Sequence, residues 1–236
     1  MFKNGREKLN VPETGLPFKP FTTKEISDVI RKRVFRIDEE FTKGFEFIKR
    51  YPSSVTFFGS TRVKEDDLYY NKAVSLAKKL SQIGYSIMTG GGPGIMEAAN
   101  RGAYEAGGDS LGLNIKLPKQ QVTNPYVKES VEFFYFFSRK VCLSFSAEAF
   151  IFFPGGFGTL DELFEIITLI QTHKIHKRPV ILFGKEHWYS LNDFITHHLL
   201  ERGAIDKEDM ELYKITDSEE EAIQIIKASN DFSKKV

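Results

Sequence analysis

Residues Phe150 to Glu165 read FIFFPGGFGTLDELFE: an apolar run enters glycines at 155, 156 and 158, and the carboxylates Asp161 and Glu162 follow at once. A glycine turn lets the backbone approach a ligand closely. The helix behind it offers unpaired N–H groups and a partial positive charge of roughly half a unit. A phosphate is the natural occupant of such a place. On a helix of about 3.6 residues per turn, Asp161 and Glu162 project about 100° apart. One of them can face a ligand while the other faces the surface or a partner. Electrostatics at the helix end is the simpler alternative, because a first-turn carboxylate is stabilised there by about 0.3–1 kcal/mol.

Two more glycine-bearing segments have the same form, Gly59-Ser60-Thr61-Arg62 and Gly90-Gly91-Gly92-Pro93-Gly94. Gly59, Ser60, Gly91 and Gly92 therefore join Gly155, Gly156, Gly158 and Thr159 as candidate phosphate or ribose contacts. Any one segment could be only a tight turn between a strand and a helix; three at one sheet edge point to a ligand. Arg139 and Lys140, in Phe137-Ser138-Arg139-Lys140, put two cations at a predicted helix start, where they oppose the dipole. A guanidinium fork suits phosphate or carboxylate, although a solvated basic helix start would also place them there. The dinucleotide pattern G-x-G-x-x-G fails, since the sixth residue is Ile95 counted from Gly90 and Glu97 counted from Gly92. No G-x-x-x-x-G-K-[ST] occurs. A mononucleotide or sugar phosphate fits better than a dinucleotide.

The elements that must position these residues alternate. Thr22 and Glu25 form a capping-box pattern. After it Ile26, Ile30, Val34, Ile37, Phe41, Phe45 and Ile48 draw one apolar stripe on a helix over 22–50, suited to a sheet or a subunit contact. Strands are predicted at 55–60, from 85 into the glycines, and at 110–117, 131–137, 149–156, 178–184 and 213–217. Helices are predicted through Leu68, Val74, Ala77 and Leu80, from Ile95 to Gly107-Gly108, from near Ser138, and over 158–173, 190–202 and 218–229. Continuous apolar strands alternating with helices imply a mostly parallel sheet covered on both faces. The predicted fold is doubly wound α/β and Rossmann-like. It forms one domain over 22–236, behind a flexible arm over 1–21 that carries three prolines.

Bulk properties exclude several classes. The 236 residues carry a net charge of +1, which gives no basic field for nucleic acid. No apolar run reaches the ~20 residues of a membrane span, and the first residues lack a signal-peptide core. The lone Cys142 permits no internal disulfide and suits a reducing, cytoplasmic setting. His173 with His176, and His197 with His198, lack acidic or cysteine partners at ligand spacing, so no metal is expected. Phe133, Phe134, Phe136 and Phe137 read as core, with one or two free to wall a base pocket.

GGGPGIMEAANRGA, FFSRK and PGGFGTLDE, in this order and spacing, resemble the Lonely Guy (LOG) family of nucleoside 5′-monophosphate phosphoribohydrolases, long labelled lysine decarboxylase-like. The resemblance spans about residues 50–200. It implies hydrolysis of the N-glycosidic bond of a purine nucleoside monophosphate, cytokinin-type or plain AMP, to free base and ribose 5-phosphate, with no cofactor. By motif, Arg139 and Glu162 take the catalytic positions, Gly155, Gly156, Gly158 and Thr159 the phosphate cradle, and Lys140 the adjacent basic position. Glu97 departs from the glycine usual in short plant members, which bears on substrate preference. The resemblance also implies a homodimer in which the helix after PGGFGT contributes to the contact. A non-catalytic binder of a nucleotide or a molybdopterin-type cofactor on the same fold is the alternative. A decarboxylase would need a Schiff-base lysine, and Lys140 alone lies near the motifs.

Overall fold

The computed structural model describes residues 23–116 and 123–233; the predicted arm over 1–21 and the cap at Thr22 lie outside them. The chain forms α1 (Thr23–Ile48), β1 (Ser54–Phe58), α2 (Leu68–Gln82), β2 (Ser86–Thr89), α3 (Ile95–Glu105), β3 (Ser110–Ile115), β4 (Glu129–Phe133) and α4 (Phe136–Ser146). It continues as β5 (Ala147–Phe152), α5 (Phe157–Gln171), β6 (Val180–Phe183), α6 (Lys185–Phe194), β7 (Lys214–Thr216) and α7 (Glu219–Ser233). The strands build one seven-stranded sheet in the order β4-β3-β2-β1-β5-β6-β7. Every pairing is parallel. The predicted doubly wound, Rossmann-like α/β fold is the fold observed. Having stepped outward from β1 to β4, the chain returns to place β5 on the other side of β1, so the order reverses between β1 and β5. Parallel α/β sheets open a crevice beyond the strand ends at such a point.

Side-chain alternation along the inner strands divides the core between the two faces. Phe150 and Phe152 of β5 pack with Phe58, Leu163, Ile166 and Trp188 on one face. Ala149, Ile151 and Phe153 pack with Phe57, Leu76, Leu80 and Ile95 on the other. Strands β1, β2 and β6 are buried along their whole length, as continuous apolar runs between two helical layers require.

Three expectations are corrected. The aromatic run 131–137 is not all strand: β4 ends at Phe133, and the amides of Phe134 and Tyr135 turn away from the ladder to the Glu40 carboxylate. Of the four phenylalanines, Phe133 is buried in the core, whereas Phe136 and Phe137 are exposed on α4. The helix predicted over 190–202 starts at Lys185, whose N–H donates to Asp217 Oδ1 at 2.8 Å, and passes into a π-helical stretch at Ile195–Leu200. The predicted stripe on α1 divides along its length: Ile48 is buried and Phe41 and Phe45 pack half-buried against the core, while Ile26, Ile30 and Val34 are exposed.

Behind the glycines following β2 lies a buried polar network. Asn100 Oδ1 accepts from Thr89 Oγ1 at 2.6 Å and from Asn124 Nδ2 at 3.0 Å, and its Nδ2 donates to Ser110 Oγ at 2.9 Å. The Gly91 N–H donates to Thr89 Oγ1, and Asn124 Nδ2 donates to the Gly92 carbonyl. Satisfied amide networks of this kind rigidify what they hold, because an unpaired buried amide is costly. Here the glycine turn itself is held.

Candidate active site

All three glycine segments meet at the carboxyl edge, and Ser60 joins them. Its N–H donates to Pro154 O at 3.0 Å, its carbonyl accepts from Ile95 N at 3.0 Å, and its hydroxyl accepts from Arg62 N at 3.1 Å. Gly94 has φ +71°, and a methyl group there would lie 2.3 Å from Ser60 O. A methyl group on Gly155 would lie 2.1 Å from Thr159 Oγ1. Both places require glycine because another element sits against the bare Cα.

These turns surround a cleft of about 830 Å³, lined by Gly59 and Ser60 on one side, by Gly155, Gly156, Gly158 and Thr159 on another, and by Arg139 and Glu162. Helix α5 enters from Gly156, and its first helical bond runs from Leu160 N to Gly156 O at 3.1 Å. The N–H groups of residues 157–159 precede that bond and have no acceptor within the helix. Asp161 and Glu162 sit in the second turn of α5 rather than the first, so helix-end electrostatics does not account for them.

Arg139 is 9% exposed and its Nη2 lies 3.8 Å from Glu162 Oε1. Its Nε has no hydrogen-bond partner among the described residues. Burial pulls the guanidinium below its ordinary pKa against the opposing pull of Glu162. Burial likewise raises the Glu162 carboxyl, and the positive charge of Arg139 only partly counters it. Each charge is thus desolvated more than its partner compensates. Buried groups left so weakly paired are characteristic of functional sites.

The other predicted residues separate. Lys140 does not line the cleft; its Nζ binds Asp161 Oδ2 at 2.9 Å and Glu165 Oε2 at 2.5 Å, tying α4 to α5. Gly91 and Gly92 face the amide network described above, behind the cleft wall. Phe136, one of the phenylalanines expected to be free to wall a pocket, lines the cleft, as do Tyr69, Met96 and Asp67, which the sequence did not single out as site residues. For Asp67 a local signal exists: it caps α2 by accepting from Tyr69 N at 2.7 Å. Among the described residues no group of three or more His, Cys, Asp or Glu is placed to hold a metal.

An all-parallel sheet with a glycine-walled cleft at its order reversal defines a Rossmann-like protein with a site at the switch point. A family profile described as "Possible lysine decarboxylase" matches residues 96–226. The chain is 32% identical over 158 residues to a probable cytokinin riboside 5′-monophosphate phosphoribohydrolase of Arabidopsis thaliana, covering 66% of this chain and 78% of that protein. It is 34% identical over 142 residues to the cytokinin riboside 5′-monophosphate phosphoribohydrolase LOG of Oryza sativa subsp. japonica, covering 59% and 58%. The chain belongs to this family, which includes the LOG proteins. Among solved structures, a structural-genomics target superposes with TM-score 0.58 at 24% identity over 75% of this chain and 99% of that one. The molybdenum cofactor binding protein of Rippkaea orientalis superposes with TM-score 0.56 at 23% identity over 74% and 94%. At these identities the likeness is one of fold.

Because Gly94 joins a positive φ to direct contact with Ser60, Gly94→Ala should cost more than about 2 kcal/mol in urea unfolding. A loss below about 0.5 kcal/mol would show that the turns do not depend on that contact.

Proposed function

We propose that the chain hydrolyses the N-glycosidic bond of a purine nucleoside 5′-monophosphate, cytokinin-type nucleotides included, to free base and ribose 5-phosphate. The observation that carries this reading is the presence in one cleft of the glycine-headed start of α5 and of the buried Arg139 facing the half-buried Glu162. The names of the plant relatives support the same reaction.

In this proposal the 5′-phosphate takes the free amides at 157–159, with Gly155, Gly156 and Thr159 around it and Ser60 opposite. That non-reacting anchor orients the ribose. The C1′–N bond breaks through an oxocarbenium-like state, and the Glu162 carboxylate stabilises its positive charge. Water, oriented or deprotonated by Glu162, adds to C1′; the bonding pair leaves with the base, which takes up a proton. Arg139 holds Glu162 or the substrate in place. Lys140, bound in its own ion pairs, sets the spacing of α4 and α5 instead of contacting the nucleotide.

We further propose a homodimer. Phe157 is 94% exposed at the rim of the cleft, and with Phe164 and Leu160 it lines an adjoining groove on α5. A partner covering that groove would close the cleft. We also place the protein in the cytoplasm, a reading supported by the lone, unpaired Cys142, which suits a reducing setting.

Incubation of the protein with AMP should release adenine. Glu162→Gln should lower kcat by at least about 10²-fold while AMP binding stays within about threefold; wild-type release by the variant would overturn the role. Since Glu162 must be ionised, activity should fall as pH drops through its raised pKa, so the acid limb of kcat/KM should lie above the 4.5 of an ordinary glutamate. A limb at or below that value would contradict the burial. Light scattering at micromolar concentration should give at least a dimer mass, and a monomer would count against the proposed closure.

A further inference from the structure

Helix α1 lies before the residues that match the family profile, yet it reaches into the support of the site. Glu40 is 8% exposed. Its Oε1 accepts from Phe134 N at 2.6 Å, and its Oε2 accepts from Tyr135 N at 3.3 Å and from the Ser138 hydroxyl. These donors lie at the start of α4, whose N-cap residue, Tyr135, makes no side-chain cap of its own. A carboxylate suits this place because it satisfies otherwise unpaired N–H groups and offsets the positive end of the helix. The acceptor here comes from 94 residues upstream of Phe134.

Arg139 follows Ser138 directly, and its N–H donates to Tyr135 O at 3.3 Å. Its side chain is packed against Gly90 but has few polar anchors: Nε is unpartnered among the described residues, and Glu162 is 3.8 Å away. With so few polar contacts to direct it, the guanidinium depends for its place on the backbone of the first turn of α4. We propose that Glu40 is a positioning residue for Arg139, a cap supplied by α1 that holds this turn so that the guanidinium meets Glu162. The consequence for turnover rests on the phosphoribohydrolase reading; the placement of the guanidinium does not. Displacements of about 1 Å at reacting groups cost on the order of 10²-fold in rate.

The test compares wild type, Glu40→Ala, Glu40→Gln and the exposed neighbour control Glu39→Gln in the full chain. It measures kcat and KM for AMP, the melting temperature, and the NMR signal of the Arg139 Nε–H, assigned with Arg139→Lys. Glu40→Ala should lower kcat about 10- to 100-fold well below its melting temperature, with KM changed less than about threefold and the Arg139 signal displaced. Glu40→Gln keeps one acceptor oxygen and should recover part of the loss, while Glu39→Gln should match wild type. If Glu40→Ala fails to fold, Glu40→Gln carries the test, with kcat at least about threefold down and the signal moved. A lower melting temperature with wild-type kcat and an unmoved Arg139 signal would overturn the proposal. If the wild type releases no adenine, the activity reading fails and the signal alone decides: its displacement in Glu40→Ala supports the positioning role, and its constancy ends it.

Discussion

Much of this molecule is arranged around two opposite charges, one buried and one half-buried, that face each other without a close hydrogen bond. Arg139 and Glu162 stand 3.8 Å apart, each shifted toward its neutral form by burial more than the other shifts it back. A pair of this kind does not hold a fold together, because desolvation can exceed the Coulombic return. It persists only where the surrounding structure fixes both partners. An incoming anion and a developing cation would supply what the pair lacks, the first to the guanidinium and the second to the carboxylate.

The elements around the pair supply that fixing. Glu162 rides on α5, whose entry is set by Pro154 and Gly155 beside Ser60. Arg139 rides on α4, whose first turn is held by Glu40 and whose next residue, Lys140, is bound to Asp161 and Glu165 of α5. Two adjacent residues of α4 thus face acidic residues on α5, one pair under-compensated in the cleft and one well bonded outside it. The outer ion pairs join the two helices, while the inner pair is left without a close partner.

Much of this was legible in the sequence. The apolar strands and their glycine ends gave the sheet and its working edge, because burial on both faces and tight turns leave plain signals. The spacing of Asp161 and Glu162 implied that only one would face the ligand, and Asp161 is in fact exposed on the Lys140 side. What was not legible depends on distant pairings. Nothing local marks Glu40 as the cap of α4, and its capture of two amides is why an aromatic run that reads as strand breaks at Phe133. The inward turn of Gly91 and Gly92 depends on Asn124, which lies well along the chain. The direction of Lys140 depends on acids supplied by another helix.

The family description raises a chemical question that Lys140 answers. A lysine that forms a Schiff base must present a neutral amine, so its pKa is lowered by burial or by neighbouring cations. At Lys140 burial does act in that direction, but the carboxylates of Glu165 and Asp161 outweigh it and leave the pKa above its ordinary value. Two carboxylates within ion-pair distance keep the ammonium charged and aimed away from the cleft. Releasing it as a nucleophile would require breaking both ion pairs and stranding two acids on α5. The same two ion pairs join α4 to α5, so the charge that disqualifies Lys140 as an amine nucleophile also ties the helix carrying Arg139 to the helix carrying Glu162.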